Sequence, residues 1–211
     1  MTDILKLDAT GQLNALEMKR ISAVELLDAS VARHEAVKGL INAVVATDIE
    51  RARHRAAAID DARAKGEPLG ALAGLPMTIK DTFDVDGMPA SSGLDVFRHR
   101  TASDATVVAR TRAQGAVIWG KTNVPVLAGD FQTYNAIYGT TNNPWNPERT
   151  TGGSSGGAAA CLATGVTALE IGSDIGGSLR TPANFCGVFS HKPTWGVVPQ
   201  HGHIPPPPGA N

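Results

Sequence analysis

The stretch from Thr150 to Ala183 reads TTGGSSGGAAACLATGVTALEIGSDIGGSLRTPA, and it sets Ser154, Ser155 and Ser178 among eight glycines and an alanine-rich run. Glycine weakens helix and strand interiors alike, so this density constrains the fold more than any other feature of the chain. Backbone of this kind suits two tasks. It lets one segment approach another closely, or it turns several N–H groups toward a single negative charge. The flanking segments must supply the regular structure that the stretch lacks.

Those segments are legible. Ser22 opens SAVELLDASVARHEAV with Glu25 three residues on, a capping box ahead of helical apolar spacing. IERARHRAAAIDDARAKG predicts a second amphipathic helix closed by Gly66, and INAVVATD between the two predicts a short strand. Beyond Leu75, LPMTIKD, GAVIWGK and TALEIGSD read as strands. SDATVVARTRAQG reads as a helix with Ser103 or Asp104 as N-cap and Gly115 past its end, and SGGAAACLATG as a closely packed helix. Strands alternating with helices imply an α/β fold, a mixed sheet covered by helices on both faces. Residues 1–70 are expected to form a helical region packed on an α/β core of residues 71–211, one domain overall. HGHIPPPPGAN offers no element to finish a domain, and its prolines favour an extended conformation, so the fold is expected to be incomplete at the C-terminus.

Composition excludes several functions. A 42% hydrophobic content supports a buried core, while 19 basic against 20 acidic residues removes the electrostatic argument for nucleic acid or a membrane surface. No apolar run approaches the ~20 residues that span a bilayer, and the N-terminus lacks the pattern of a secretory signal. Cys161 and Cys186 sit in apolar or glycine-rich sequence and read as buried free thiols, which fits a reducing, cytoplasmic setting.

In SDIGGSLR, Gly176 and Gly177 allow a sharp turn, so the N–H groups from Ile175 to Ser178 can point into one cavity and hold an oxyanion. A plain turn with a capping serine is the simpler alternative. GGSSGG resembles a phosphate cradle, but no lysine follows at the P-loop position. A nucleophilic serine needs a base. His34 and His54 lie in charged helices and are expected to face solvent, His99 lies in a charged loop, and His191, His201 and His203 are nearer the motif. Lys80 ends an apolar strand, where burial lowers a lysine pKa and a neutral amine can serve as base. Gly153 to Gly157 also matches G-x-S-x-G, with Ser155 as nucleophile and Asp174 and His191 following in α/β-hydrolase order. That elbow requires a preceding strand, yet NNPWNPERTT is turn-forming.

PMTIKD, TTGGSSGGAAA, GSDIGGSLRTPA and CGVFSHKPTWG occur in this order, and the chain from about Leu72 to Gly196 resembles the amidase signature family. The resemblance implies Ser178 as nucleophile, Lys80 as base and Ser154 as the serine between them, entered through a cis Gly153–Ser154 peptide. It further implies oxyanion donors at Ile175, Gly176, Gly177 and Ser178, a supporting Ser155, and structural roles for Asp174 and Arg180. Asp130, Phe131 and Tyr134 are candidate borders of the substrate pocket, with core packing an equal explanation for the aromatics. The implied reaction is hydrolysis of a carboxylic amide to acid plus ammonia or amine, with no metal and no cofactor. The histidine pair His201 and His203 lacks the acidic or cysteine neighbours a metal would need. The expected partner is a small-molecule amide, with no nucleic acid and no membrane and with a homodimer left open. Two alternatives stand: the glutaminase component of a tRNA-dependent amidotransferase, or an inactive fragment acting as a binding module. GHIPPPPG resembles the general amidases more than the tRNA-linked enzymes.

Overall fold

The computed structural model describes residues 4–206, so the last prolines of the C-terminal run lie outside the described residues. In chain order the elements are α1 (Ala9–Glu17), α2 (Ala23–Ile41), β1 (Val44–Thr47), α3 (Ile49–Lys65), β2 (Pro76–Lys80), α4 (Thr106–Ala113) and β3 (Val117–Thr122). There follow β4 (Tyr134–Asn135), β5 (Gly139–Thr140), α5 (Gly156–Ala163), β6 (Glu170–Ile171) and α6 (Arg180–Cys186). The predicted capping box is present: Ser22 Oγ accepts from the Glu25 N–H, and the Glu25 carboxylate accepts from the Ser22 N–H. Gly66 closes α3 with φ of 71°. The strand expected over TALEIGSD is shorter than its sequence suggests, only Glu170–Ile171.

The main sheet runs β1-β3-β2-β6, with β1 antiparallel to β3 and the other pairings parallel. Strands β2 and β3 are buried along their whole length, as inner strands of a sheet covered on both sides must be. Alternate side chains serve opposite faces. Val117 and Trp119 join a cluster with Leu26, Ala56, Ala160 and Cys161, from α2, α3 and α5. Ile79 and Ile118 pack instead with Val108 of α4 and with Val85. Both cysteines are free and buried.

Two sequence expectations are corrected here. Helix α4 has Ala105 at its N-cap and no side-chain cap. Asp104 is engaged elsewhere, accepting from the Asp86 N–H at 2.8 Å and pairing with Arg112 at 2.9 Å. His34 is buried rather than solvent-facing, since it shares the inner stripe of α2 with Ser30, Val37 and Ile41 and lies 5.6 Å from the Trp119 ring. His54 is exposed, as expected, and His99 is exposed in its loop.

Candidate active site

The carboxyl ends of β2 and β6 carry the site, where open α/β sheets place their ligands. Lys80 is the last residue of β2 and shares the pleat face of Thr78, so its side chain leaves the α4 layer behind. Opposite it, the α5 helix must come very close. A Cβ on Gly157 would lie 2.5 Å from the Asn123 backbone N, and one on Gly153 would clash with the Gln132 carbonyl. The glycines therefore permit backbone approach, and the segment they release is the one that bears Ser154. The Gly153–Ser154 peptide is cis.

Lys80 is wholly buried, and its Nζ lies 2.6 Å from Ser154 Oγ, 3.0 Å from Ser173 Oγ and 3.4 Å from the Ser173 carbonyl. Burial pushes its pKa down to about 7, against the upward pull of Glu170 and Asp174. A second buried lysine shows what Lys80 lacks: Lys121 Nζ is 2.6 Å from Asp81 Oδ1 and also donates to the Pro89 carbonyl. Among the described residues no carboxylate makes such a contact with Lys80. Glu170 is held by the Thr122 hydroxyl at 2.6 Å, and burial raises its carboxyl to about 8 although Thr122, the Lys80 charge and Thr78 pull the other way.

Ser178 is buried close by, and its carbonyl accepts from the Ser155 N–H at 3.1 Å. Among the described residues no hydrogen bond joins the Ser154 and Ser178 hydroxyls. Ser155 Oγ donates to the Ser173 carbonyl at 3.1 Å and accepts from the Ser173 N–H at 3.3 Å, which ties the start of α5 to the segment after β6. Among the described residues no strand runs directly into Ser155, and His191 is exposed with no hydrogen bond to it, so the elbow geometry of the α/β-hydrolase alternative is absent.

The turn from Asp174 to Arg180 is organised by the Asp174 carboxylate, whose side chain is fully buried. It accepts from the N–H groups of Gly177 at 2.6 Å and Leu179 at 3.1 Å, and from Arg180 Nε at 2.9 Å. Burial pushes this carboxyl up, but the Arg180 guanidinium and these N–H donors outweigh it and hold the pKa at about 2. The Gly177 N–H is thus committed to Asp174, which leaves Ile175, Gly176 and Ser178 of the four expected donors. The Asp-x-x-Gly spacing of a side-chain-closed turn was the available signal.

A cleft of about 1050 Å³ runs beside these residues, with Ser173, Asp174, Ile175 and His203 on its wall. Lys80, Ser154 and Ser178 are not on that wall, and neither are Asp130, Phe131 or Tyr134. Phe131 does approach the turn, since a Cβ on Gly177 would stand 3.2 Å from its ring. Asp130 is partly buried and Tyr134 exposed at the neighbouring hairpin. Among the described residues no group of three histidine, cysteine, aspartate or glutamate side chains is placed to hold a metal ion, and no helix is long and apolar enough to cross a membrane. Sequence reasoning passed over Ser173 and its contact with His203.

A family model described as Amidase matches residues 25–210. The chain is 40% identical over 205 residues to a glutamyl-tRNA(Gln) amidotransferase subunit of Streptomyces coelicolor, covering 97% of this chain and 41% of that protein. A solved structure from a study of a vestigial protein complex and the evolutionary origins of an s-triazine catabolic enzyme, with inhibitor bound, superposes with a TM-score of 0.91. That chain is 40% identical, and the match covers 94% of this chain and 44% of that one. A bacterial aryl acylamidase of the amidase signature enzymes gives a TM-score of 0.81 at 34% identity, over 84% of this chain and 37% of the other. The chain spans less than half the length of each of these proteins.

Proposed function

The chain belongs to the amidase family, and from that premise we propose that it carries the catalytic half-site of an enzyme that hydrolyses a carboxylic amide to an acid and ammonia or an amine. One observation carries the reading: a wholly buried amine at 2.6 Å from a buried serine hydroxyl, on the segment that leads to a second buried serine. At pH 8 an amine of pKa about 7 is roughly nine-tenths neutral, whereas an ordinary lysine near 10.4 is below one part in a hundred.

The steps follow from that neutrality. Lys80 Nζ takes the Ser154 proton while Ser154 Oγ takes the proton of Ser178, whose hydroxyl turns onto Ser154 as substrate enters. Ser178 Oγ bonds to the amide carbon, and the carbonyl electron pair moves to oxygen, where the N–H groups of Ile175, Gly176 and Ser178 receive it. The proton returns from Lys80 through Ser154 to the amide nitrogen as the C–N bond breaks, leaving an acyl-enzyme. Water, deprotonated by the same relay, releases the acid and restores Ser178. Ser155, Asp174 and Arg180 hold the frame, and Phe131 borders the turn.

A specific observation favours a second reading of the substrate. A curated relative at 40% identity is named as part of an amidotransferase, which makes glutamine a candidate beside simple aliphatic and aryl amides. The whole protein's partner in this reading is a small-molecule amide and its setting is cytoplasmic, with a homodimer left open. The test is a fluorophosphonate probe on the full chain, followed by peptide mapping. Label on Ser178, lost in Ser178→Ala and Lys80→Met, is expected. Label on Ser155, or none on a folded chain, overturns the assignment. An amide panel that includes glutamine then sorts the substrate class.

A further inference from the structure

His203 lies 30 residues beyond Ser173 in sequence, yet it is 6% exposed and points into the site. Its ring stands edge-on to Phe83 with centroids 4.8 Å apart. Nδ1 is 2.7 Å from the Pro205 carbonyl, and Nε2 is 2.8 Å from Ser173 Oγ. A carbonyl only accepts, so Nδ1 carries the proton. The neutral ring then offers Nε2 as an acceptor, and the Ser173 hydroxyl must donate to it. Burial keeps the ring neutral by pushing its pKa down to about 4. The other hydroxyl near Ser173 Oγ, that of Thr82, stands at 3.5 Å and competes weakly.

The consequence reaches Lys80. A neutral amine has two N–H donors and one lone pair. Three groups surround Nζ: the Ser173 carbonyl, Ser173 Oγ and Ser154 Oγ. The carbonyl takes one N–H. Ser173 Oγ, its own proton committed to His203, can only accept the other. The lone pair is left facing Ser154, whose hydroxyl donates into it at 2.6 Å.

We propose that His203 and Ser173 are a positioning pair, which fixes the direction of hydrogen bonding so that the lone pair of Lys80 is reserved for Ser154. Without an acceptor at Nε2, the Ser173 hydroxyl turns and donates to Nζ, and two serines then compete for one lone pair. His203 touches neither substrate nor nucleophile in this role. The inference rests on the relay proposed above, and its test separates the two.

The first measurement is 15N-histidine NMR on the full 211-residue chain. His203 is expected as the neutral Nδ1–H tautomer from pH 6 to 9, with its Nε2 resonance moving in Ser173→Ala as the hydrogen bond is lost. An Nε2–H tautomer, or an Nε2 signal indifferent to Ser173→Ala, overturns the pair. The second measurement is the rate of fluorophosphonate labelling. His203→Phe keeps a ring against Phe83 but removes the acceptor, so its maximal labelling rate should fall about tenfold, the worth of one such hydrogen bond, with probe affinity unchanged. His203→Gln, whose amide can donate to Pro205 and accept from Ser173, should recover most of the loss. Equal rates in parent and His203→Phe, or a loss that His203→Gln does not relieve, overturn the proposal. Should Phe at 203 prevent folding, the His203 tautomer and the response of its Nε2 resonance to Ser173→Ala decide the pair. A parent chain that folds but takes no label counts against the Ser178 assignment, and the tautomer then decides the pair alone.

Discussion

Replacing Lys80 by methionine removes the amine and keeps most of its apolar volume. In the unfolded chain the lysine titrates near 10.4, and in the fold near 7. Between those values the unfolded chain holds a proton that the folded chain does not. Stability therefore rises with pH across that window, by about 1.4 kcal/mol per unit, and the penalty is fully present below pH 7. From pH 8 to 9.5 the parent should gain about 2 kcal/mol that Lys80→Met does not. Glu170 does not confuse the comparison: its raised folded pKa makes stability fall between about 4.5 and 8, and above 8 its contribution is flat. At pH 8 the parent also carries about 3 kcal/mol for stripping the lysine of its proton, against about 1–3 kcal/mol for the Ser154 hydroxyl that the variant orphans, Ser173 keeping its bond to His203. Lys80→Met should thus be at least as stable as the parent at pH 8 while losing Ser178 labelling by more than a hundredfold. Urea unfolding at pH 8, 8.75 and 9.5, followed by tryptophan fluorescence, gives the stabilities, and the labelling rate at pH 8 gives the loss of reactivity. Parallel pH dependences in the two chains would mean that Lys80 keeps an ordinary pKa in the fold, and the neutral-base reasoning would be refuted.

Other outcomes follow from the same contacts. Ser155→Ala should slow labelling about tenfold without abolishing it, because only the tie to Ser173 is lost, and His191→Ala should leave it unchanged. Loss in His191→Ala with retention in Lys80→Met would instead favour a histidine-based triad. Gly157→Ala places a methyl 2.5 Å from the Asn123 nitrogen and 2.7 Å from its oxygen, so it should lower stability by about 3 kcal/mol or prevent folding, as a shifted urea midpoint would report.

Local chemistry made much of this molecule legible. The capping box at Ser22 and Glu25 and the glycine after α3 need only neighbouring residues, and both are present. Lys80 was readable as a candidate because it ends a mostly apolar run, PMTIK, although a strand-end lysine commonly faces solvent, and the structure buries that strand along its whole length. What the sequence hid depends on partners distant in the chain. Asp104 looks like a helix cap until Arg112 and the Asp86 N–H claim its carboxylate. His34 looks exposed among charged neighbours, but its spacing from Ser30, Val37 and Ile41 puts it on the inner stripe. Glycines 176 and 177 suggested a four-donor nest, and the contact that removes one donor is local, signalled by the Asp-x-x-Gly spacing of Asp174 and Gly177. The link from His203 through Ser173 to Lys80 joins three separate segments, and no motif spans them.

The central claim is that the Lys80 amine is neutral near physiological pH inside a dry site. Its most direct test is 13C NMR of the chain labelled at lysine Cε, with Lys80 identified by its absence in Lys80→Met and titrated from pH 5 to 11. A midpoint near 7, apart from the other lysines, is the result this structure requires. A midpoint near 10, with the bulk of the lysines, would contradict it.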